Sequence, residues 1–170
     1  VDNTAAEAAN ITGSSLDLDA ATGIGSGASL DGTGDIEING SLLSAVNSTS
    51  GNINITEVDS VALDDLTNTG RPVILDAGGA ITDGNAADTA NISAGTAEVR
   101  AVTGIGSGVV GDAGDIDTIV TGDFAAQTDS GDINVHNVGS FTIGALGTIS
   151  GVEILDTADN NNGEDITLRA

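Results

Sequence analysis

Oxygen-bearing side chains gather near the end of the sequence, and their types and spacing suit the binding of a hard cation. Ten consecutive positions contain Asp156, Asp159, Asn160, Asn162, Glu164 and Asp165. Carboxylate and amide oxygens are the ligands that Ca²⁺ takes in proteins. The sequence therefore predicts a candidate calcium site at Asp156, Asp159 and Asp165. The alternative is a polar loop without an ion, since an EF-hand spacing would need an acid at Ala158.

The hexapeptide TGIGSG occurs at residues 22–27 and again at 103–108, and its glycines raise the question of a phosphate-binding loop. Such a loop needs a following helix whose N-terminus faces the anion and, in the P-loop, a lysine. The residues after Gly27 show no helical periodicity, and the sequence contains no Lys. We therefore expect both hexapeptides to form tight corners, where glycine adopts positive φ without steric cost.

Residues for enzymatic catalysis are sparse. The sole histidine, His136, aligns with Thr56 of an internal repeat and is expected on an exposed strand face, without a ligand or general-base role. Arg71, Arg100 and Arg169 lie far apart in sequence, and the chain has only two aromatic residues. Polysaccharide-cleaving β-helices need clustered carboxylates with a basic residue and rings that stack on sugars. The sequence predicts no enzymatic activity and no cofactor other than calcium.

The charge balance excludes several classes of partner. The 170 residues carry 26 acidic and 3 basic side chains, for a formal net charge of −23. Nucleic acid is not expected as a partner, because binding a dense row of phosphates needs a basic surface. No apolar run approaches the ~18 residues of a membrane span, so no membrane insertion is expected.

The apolar composition favours strands. The chain has no Trp, Tyr, Met or Cys, and its interior must be built from branched aliphatic residues. Ile and Val suit a pleated surface, and the 25 glycines supply turns.

The sequence repeats itself after about eighty residues. ANITGSSLDLDAATGIGSG at residues 9–27 aligns with ANISAGTAEVRAVTGIGSG at residues 90–108, and GNINI at Gly51 aligns with GDINV at Gly131. The match continues from SVAL to SFTI and from VILDA to EILDT. Two copies, at residues 2–82 and 83–170, fill a single domain of residues 1–170.

A shorter unit recurs inside each copy. Gly-Asp/Asn-Ile-x-Ile/Val phrases begin at Gly34 and Gly51, and again at Gly114 and Gly131, 17 residues apart in each copy. The alternation places Ile53 and Ile55 on one side of a strand too short to be stable alone. Units that bury an apolar face only by stacking on their neighbours are typical of solenoids. We expect an all-β, right-handed parallel β-helix (β-solenoid) of about eight coils of roughly 20 residues.

A series of short motifs points to a known family. GIGSG, SGDINV, SFTIG, GVEIL and DITLRA occur in this order from residue 104 to residue 170, with counterparts in the first copy. This series resembles the β-strand repeats of large bacterial surface proteins related to filamentous haemagglutinins. The resemblance covers nearly the whole chain and implies a right-handed parallel β-helix, secreted or displayed on the cell surface. Arg71-Pro72 departs from the pattern, and Pro72 is expected at a turn or at a strand start.

These observations predict an extracellular or cell-surface structural protein, a β-solenoid module of a bacterial fibre or adhesin stalk. Its partners are expected to be copies of itself joined head to tail, or the continuation of a longer repeat chain. The start at Val1 likewise suggests a processed product or a segment. The alternative is an adhesin module that recognises glycan or protein through a lateral face, stabilised by calcium.

Overall fold

The structure, a computed structural model, describes residues 8–85, 87, 89–108, 113–156 and 163–170. Within these residues all regular elements are strands, and no helix is formed. The strands are β1 (Ile11–Ala20), β2 (Ile36–Asn47), β3 (Ile53–Glu57), β4 (Val61–Ala77), β5 (Ile81–Asp83), β6 (Ile92–Ala101), β7 (Ile116–Val120), β8 (Asp123–Thr128), β9 (Ile133–Asn137), β10 (Thr142–Ile143), β11 (Ala145–Leu146), β12 (Ile149–Ser150), β13 (Val152–Ile154) and β14 (Ile166–Arg169).

Twelve of these strands form one sheet whose pairings are all parallel. Its main path runs β1-β2-β3-β4-β6-β7-β9-β14, and β5, β8, β10 and β13 attach to members of that path. Strands β11 and β12 form a separate antiparallel pair. The predicted all-β class with parallel strands is therefore confirmed.

Paired positions stack their side chains into columns that run from one end of the sheet to the other. The first column contains Ile24, Ile53, Val73, Ala97, Phe124 and Ile143. The second contains Ile11, Ile38, Glu57, Ala77, Ala101, Thr128 and Ile154. Every inner member of both columns is at most 1% exposed. The core is thus a continuous stack of mostly small aliphatic side chains.

The spacing between stacked residues grows along the chain. The column of Ile36, Ile55, Leu75, Val99, Ala126 and Val152 advances by 19, 20, 24, 27 and 26 residues. The early steps match the predicted 20 residues, whereas the later ones are longer. The extra residues leave the paired strands and form connections such as the β11-β12 hairpin.

The two sequence copies pair alike at first and then differ. Leu16 pairs with Leu43, and the corresponding Ala97 pairs with Phe124. Farther along, Ile53 pairs with Val73 of the VILDA segment, but the corresponding Ile133 pairs with Ile166. The EILDT segment instead contributes β13, which pairs with β8. Equivalent motifs in the second half of each copy therefore occupy different places in the sheet.

Both TGIGSG segments form the corners predicted for them. Gly25 and Gly106 have φ values of 74° and 70°, and each isoleucine of the motif forms a bridge to the first residue of a later strand. A Cβ on either glycine would collide with the backbone oxygen of Asn54 or Asn134, so the corner packs directly on β3 or β9. This contact also explains why Asn54 is only 2% exposed although it faces away from Ile53.

Pro72 lies inside β4 rather than at a turn or a strand start. It occupies the irregularity between two stretches of β4 that pair with β6. Its carbonyl accepts a hydrogen bond from Asn68 Nδ2 at 2.6 Å. A bend in the ladder accommodates the missing amide donor.

Candidate functional site

Two aspartates and the only histidine of the sequence meet on one face of β7 and β9. Asp115 and Asp117 alternate with the core residue Ile116, so both side chains lie on the opposite side of the strand. Asp117 pairs in register with His136 of β9, and His136 Nδ1 lies 2.9 Å from Asp117 Oδ1. One possible ligand atom of each residue lies within 4.8 Å of the others.

Burial makes this cluster unusual for an acidic protein. Asp115 and Asp117 are 1% and 6% exposed, whereas the side chain of His136 keeps 27% of its surface accessible. Buried carboxylates need compensation by a cation or by hydrogen bonds, because the charged form is poorly solvated there. The expectation that His136 is a simple surface residue missed this neighbourhood. The alignment of His136 with Thr56, one strand beyond the Asp-Ile-Asp phrase, was the available signal.

The first copy contains a related cluster without a nitrogen ligand. Asp35, Glu37 and Thr56 occupy the equivalent positions, and the Thr56 hydroxyl donates a hydrogen bond to Asp35 Oδ2. A hydroxyl satisfies one carboxylate oxygen but brings no imidazole. The two copies therefore offer different chemistry on the same strand framework.

A cleft of about 490 Å³ opens beside the cluster of Asp115, Asp117 and His136. Its lining includes Asp117, His136 and Arg169, together with the apolar Ile119 and Val138. Arg169 pairs in register with His136 from β14, on the side away from Asp117. The imidazole thus stands between a carboxylate on one neighbouring strand and a guanidinium-bearing residue on the other.

A second lateral cleft, of about 610 Å³, runs across the outer face of β4, β6 and β8. Arg100 lies in it and forms a bidentate ion pair with Asp76, with 2.8 Å between Nε and Oδ1. The hydrogen bond to the Asp76 carboxylate raises the pKa of Arg100 above its usual value. Exposed apolar side chains also line the cleft: Val58, Val102 and Leu155.

Glu98 is buried where two connecting segments meet. Its carboxylate accepts hydrogen bonds from the backbone amides of Thr148 and Leu30. Burial raises the pKa of Glu98 above its usual value, and these hydrogen bonds oppose that shift. Leu30 and Ile149 belong to the same small apolar cluster as Ile74 and Ala125. Glu98 therefore ties segments from both sequence copies to the sheet.

The structure leaves the predicted calcium site as a prediction. Asp159 lies outside the described residues. Asp156 follows β13 with φ of 49°, and Asp165 precedes β14, where its amide donates to Asp132 Oδ1 at 2.9 Å. Of the residues described, only Asp115, Asp117 and His136 form a group of three metal-binding side chains.

The two ends of the sheet expose the core. Strands β1 and β14 are the outer members of the main path, and no further strand among the described residues covers them. Seven apolar residues are only partly buried against the main core. They lie at or near the two ends: Leu18, Ala20, Ile36, Phe141, Val152, Ile154 and Leu168. A cleft of about 560 Å³ at the β1 end is lined by Ile11, Leu18, Ile24 and Ile36.

None of the described residues forms a helix that could cross a lipid bilayer. No protein-family model matches the chain, and neither a curated protein nor a solved structure is significantly similar to it.

Proposed function

We propose that this chain is a structural module that stacks end to end, on copies of itself or on further repeats of a longer chain, to build an extracellular fibre or adhesin stalk. The observation that carries the proposal is the exposure of core residues at both ends of the parallel sheet. Ile11 and Ile143 are 36% and 45% exposed, although the residues between them in their columns are buried.

The proposal takes the parallel sheet to be wound as one right-handed β-helix. Successive members of each column are separated by one crossover of similar length, as expected if each step is one coil. A coil of this kind buries its apolar residues only against its neighbours. Uncovered strand edges and apolar column ends at both termini favour addition of another coil.

The columns also suggest how one module would meet the next. Continuing the column that ends at Ile154 would place Ile11 of the next module over it. Continuing the column that ends at Ile143 would place Ile24 there. Both junctions join isoleucine to isoleucine and repeat the parallel stacking found inside the chain. A head-to-tail contact of this kind does not close on itself, so it generates a filament.

Engineered cysteines test this junction cleanly because the chain has no cysteine of its own. A variant with Ile11→Cys and Ile154→Cys should form a ladder of disulfide-linked multimers under oxidising conditions. The matched control combines Ile11→Cys with Val138→Cys, which is 60% exposed and lies on a lateral cleft. The same faint cross-linking in both variants would refute the stacking.

Sedimentation velocity and electron microscopy supply the second test. We expect concentration-dependent elongated assemblies that shorten or disappear when Ile143→Glu places a charge at the end of a column. The lateral change Val58→Glu should leave them intact. A wild-type protein that remains monomeric at every concentration would contradict the proposal.

A second candidate function is recognition of glycan or protein through the lateral face. The observation in its favour is the cleft that combines Arg100 with the exposed Val58, Val102 and Leu155. In that case Val58→Glu should abolish binding to cells or to a glycan array, whereas Ile143→Glu should not. Placement outside the cell is supported by the resemblance to surface-protein repeats.

A further inference from the structure

The single histidine of this chain occupies an environment that suits a metal ion. His136 supplies the only imidazole, and the sequence has no cysteine, so no other side chain offers a comparably soft ligand. Two carboxylates lie beside it, and both belong to residues that are at most 6% exposed. The ligand atoms come within 4.8 Å of one another, a separation that ligands of one ion can have.

The backbone holds these three residues in fixed relative positions. Asp115 and Asp117 stand two residues apart on one strand face, and His136 occupies the paired position on the neighbouring strand. Core packing of Ile116 and Val135, each at most 1% exposed, anchors the two strands from the other side. Small rotations of side chains, rather than movement of the sheet, would therefore suffice to bring three donors onto one ion.

We propose that Asp115, Asp117 and His136 bind a divalent transition-metal ion of the zinc class. One imidazole nitrogen and carboxylate oxygens match the ligands that Zn²⁺ takes in proteins, whereas Ca²⁺ takes oxygen ligands alone. Two negative charges beside one imidazole favour a doubly charged cation. The cleft of about 490 Å³ that is lined by Asp117 and His136 provides a route from solvent.

The bound ion would cross-link β7 to β9 and stabilise the second sequence copy. The first copy has Thr56 in place of His136 and satisfies its carboxylate through a hydroxyl. The chain therefore contains its own comparison: one strand framework with the nitrogen ligand and one without it. This inference is independent of end-to-end stacking, since the cluster lies on a lateral face.

Nuclear magnetic resonance of the imidazole provides a direct test, because one histidine gives one unambiguous set of signals. Zn²⁺ is titrated into ¹⁵N-labelled protein in excess Mg²⁺, which competes for the many exposed carboxylates. We expect the His136 imidazole signals to change saturably with one equivalent of Zn²⁺. Signals that remain unchanged in several equivalents of Zn²⁺ would overturn the proposal.

Equilibrium dialysis of variants then identifies the ligands. His136→Thr reproduces the residue of the first copy and should eliminate the tight equivalent of Zn²⁺, and Asp117→Asn should weaken it at least about 10-fold. The matched control Asp35→Asn alters the first copy and should leave tight binding unchanged. Zn²⁺ should raise the melting temperature of the wild type but not of His136→Thr. Persistence of the tight equivalent in His136→Thr would refute the site, and circular dichroism confirms that each variant is folded.

Discussion

The carboxylate of Glu57 accepts a hydrogen bond from the backbone amide of Gly40, with 2.9 Å between Oε2 and N. The second sequence copy repeats this relationship, since Asn137 Oδ1 accepts from the amide of Val120 at 2.8 Å. Both side chains are fully buried. An inward-facing polar residue therefore satisfies the chain at an equivalent corner of each copy, and Glu and Asn perform this task with different charge.

Removing the Glu57 side chain should destabilise the fold. Glu57→Ala leaves the buried amide of Gly40 without its acceptor, at a cost of about 1–3 kcal/mol. Glu57→Gln keeps an acceptor oxygen and should retain most of the stability. Urea denaturation followed by circular dichroism measures both. Equal loss in the two variants would show that the carboxylate charge, rather than the hydrogen bond, matters at this corner.

Stability should increase as the pH falls from 7 towards the usual glutamate pKa of 4.5. Burial raises the pKa of both Glu57 and Glu98 in the folded state. The folded protein therefore binds more protons than the unfolded chain between the usual and raised values, so acidification favours folding there. Melting temperatures at pH 7 and pH 5 test this, and the double variant Glu57→Gln, Glu98→Gln should show a smaller gain. An unchanged gain in that variant would assign the effect to general charge repulsion.

Truncating Phe124 should be among the most damaging core substitutions. Phe124 is 1% exposed, and its ring packs edge to face against Phe141 with centroids 5.5 Å apart. Phe124→Ala should cost about 3–5 kcal/mol because the stacked strands cannot close the cavity. Val138→Ala, at a 60% exposed position, serves as the control and should change stability by less than about 0.5 kcal/mol. Chemical denaturation checks both values.

The paired asparagines Asn47 and Asn68 should be needed for the turn between β2 and β3. Asn47 Nδ2 donates to Asn68 Oδ1 at 3.0 Å, and Asn68 Nδ2 donates in turn to the Pro72 carbonyl. Asn68→Ala should cost about 1–3 kcal/mol, because it leaves buried polar groups unsatisfied. Asn52→Ala, at a half-buried position, is the comparison. Hydrogen exchange should show faster exchange around residues 47–51 in Asn68→Ala alone.

Much of the local structure could be predicted from residue patterns. The Ile-x-Ile alternation at Ile53 and Ile55 correctly identified strands and their inward faces, and the TGIGSG glycines correctly identified corners. The pattern did not reveal that Asn54 is buried as well. That burial depends on the corner at Gly25, which lies far away in sequence and packs on the same strand.

The sequence by itself determined the element type and the side of each strand that faces the core, because period-two alternation and glycine conformation are local properties. Only the tertiary structure decided which strands became neighbours. Ile133 pairs with Ile166 although the repeat aligns it with Ile53, whose partner is Val73. The same non-local pairing placed His136 beside Asp117. Alternation allows any strand of the right parity to pair with another, and connection lengths together with competing core contacts select among them.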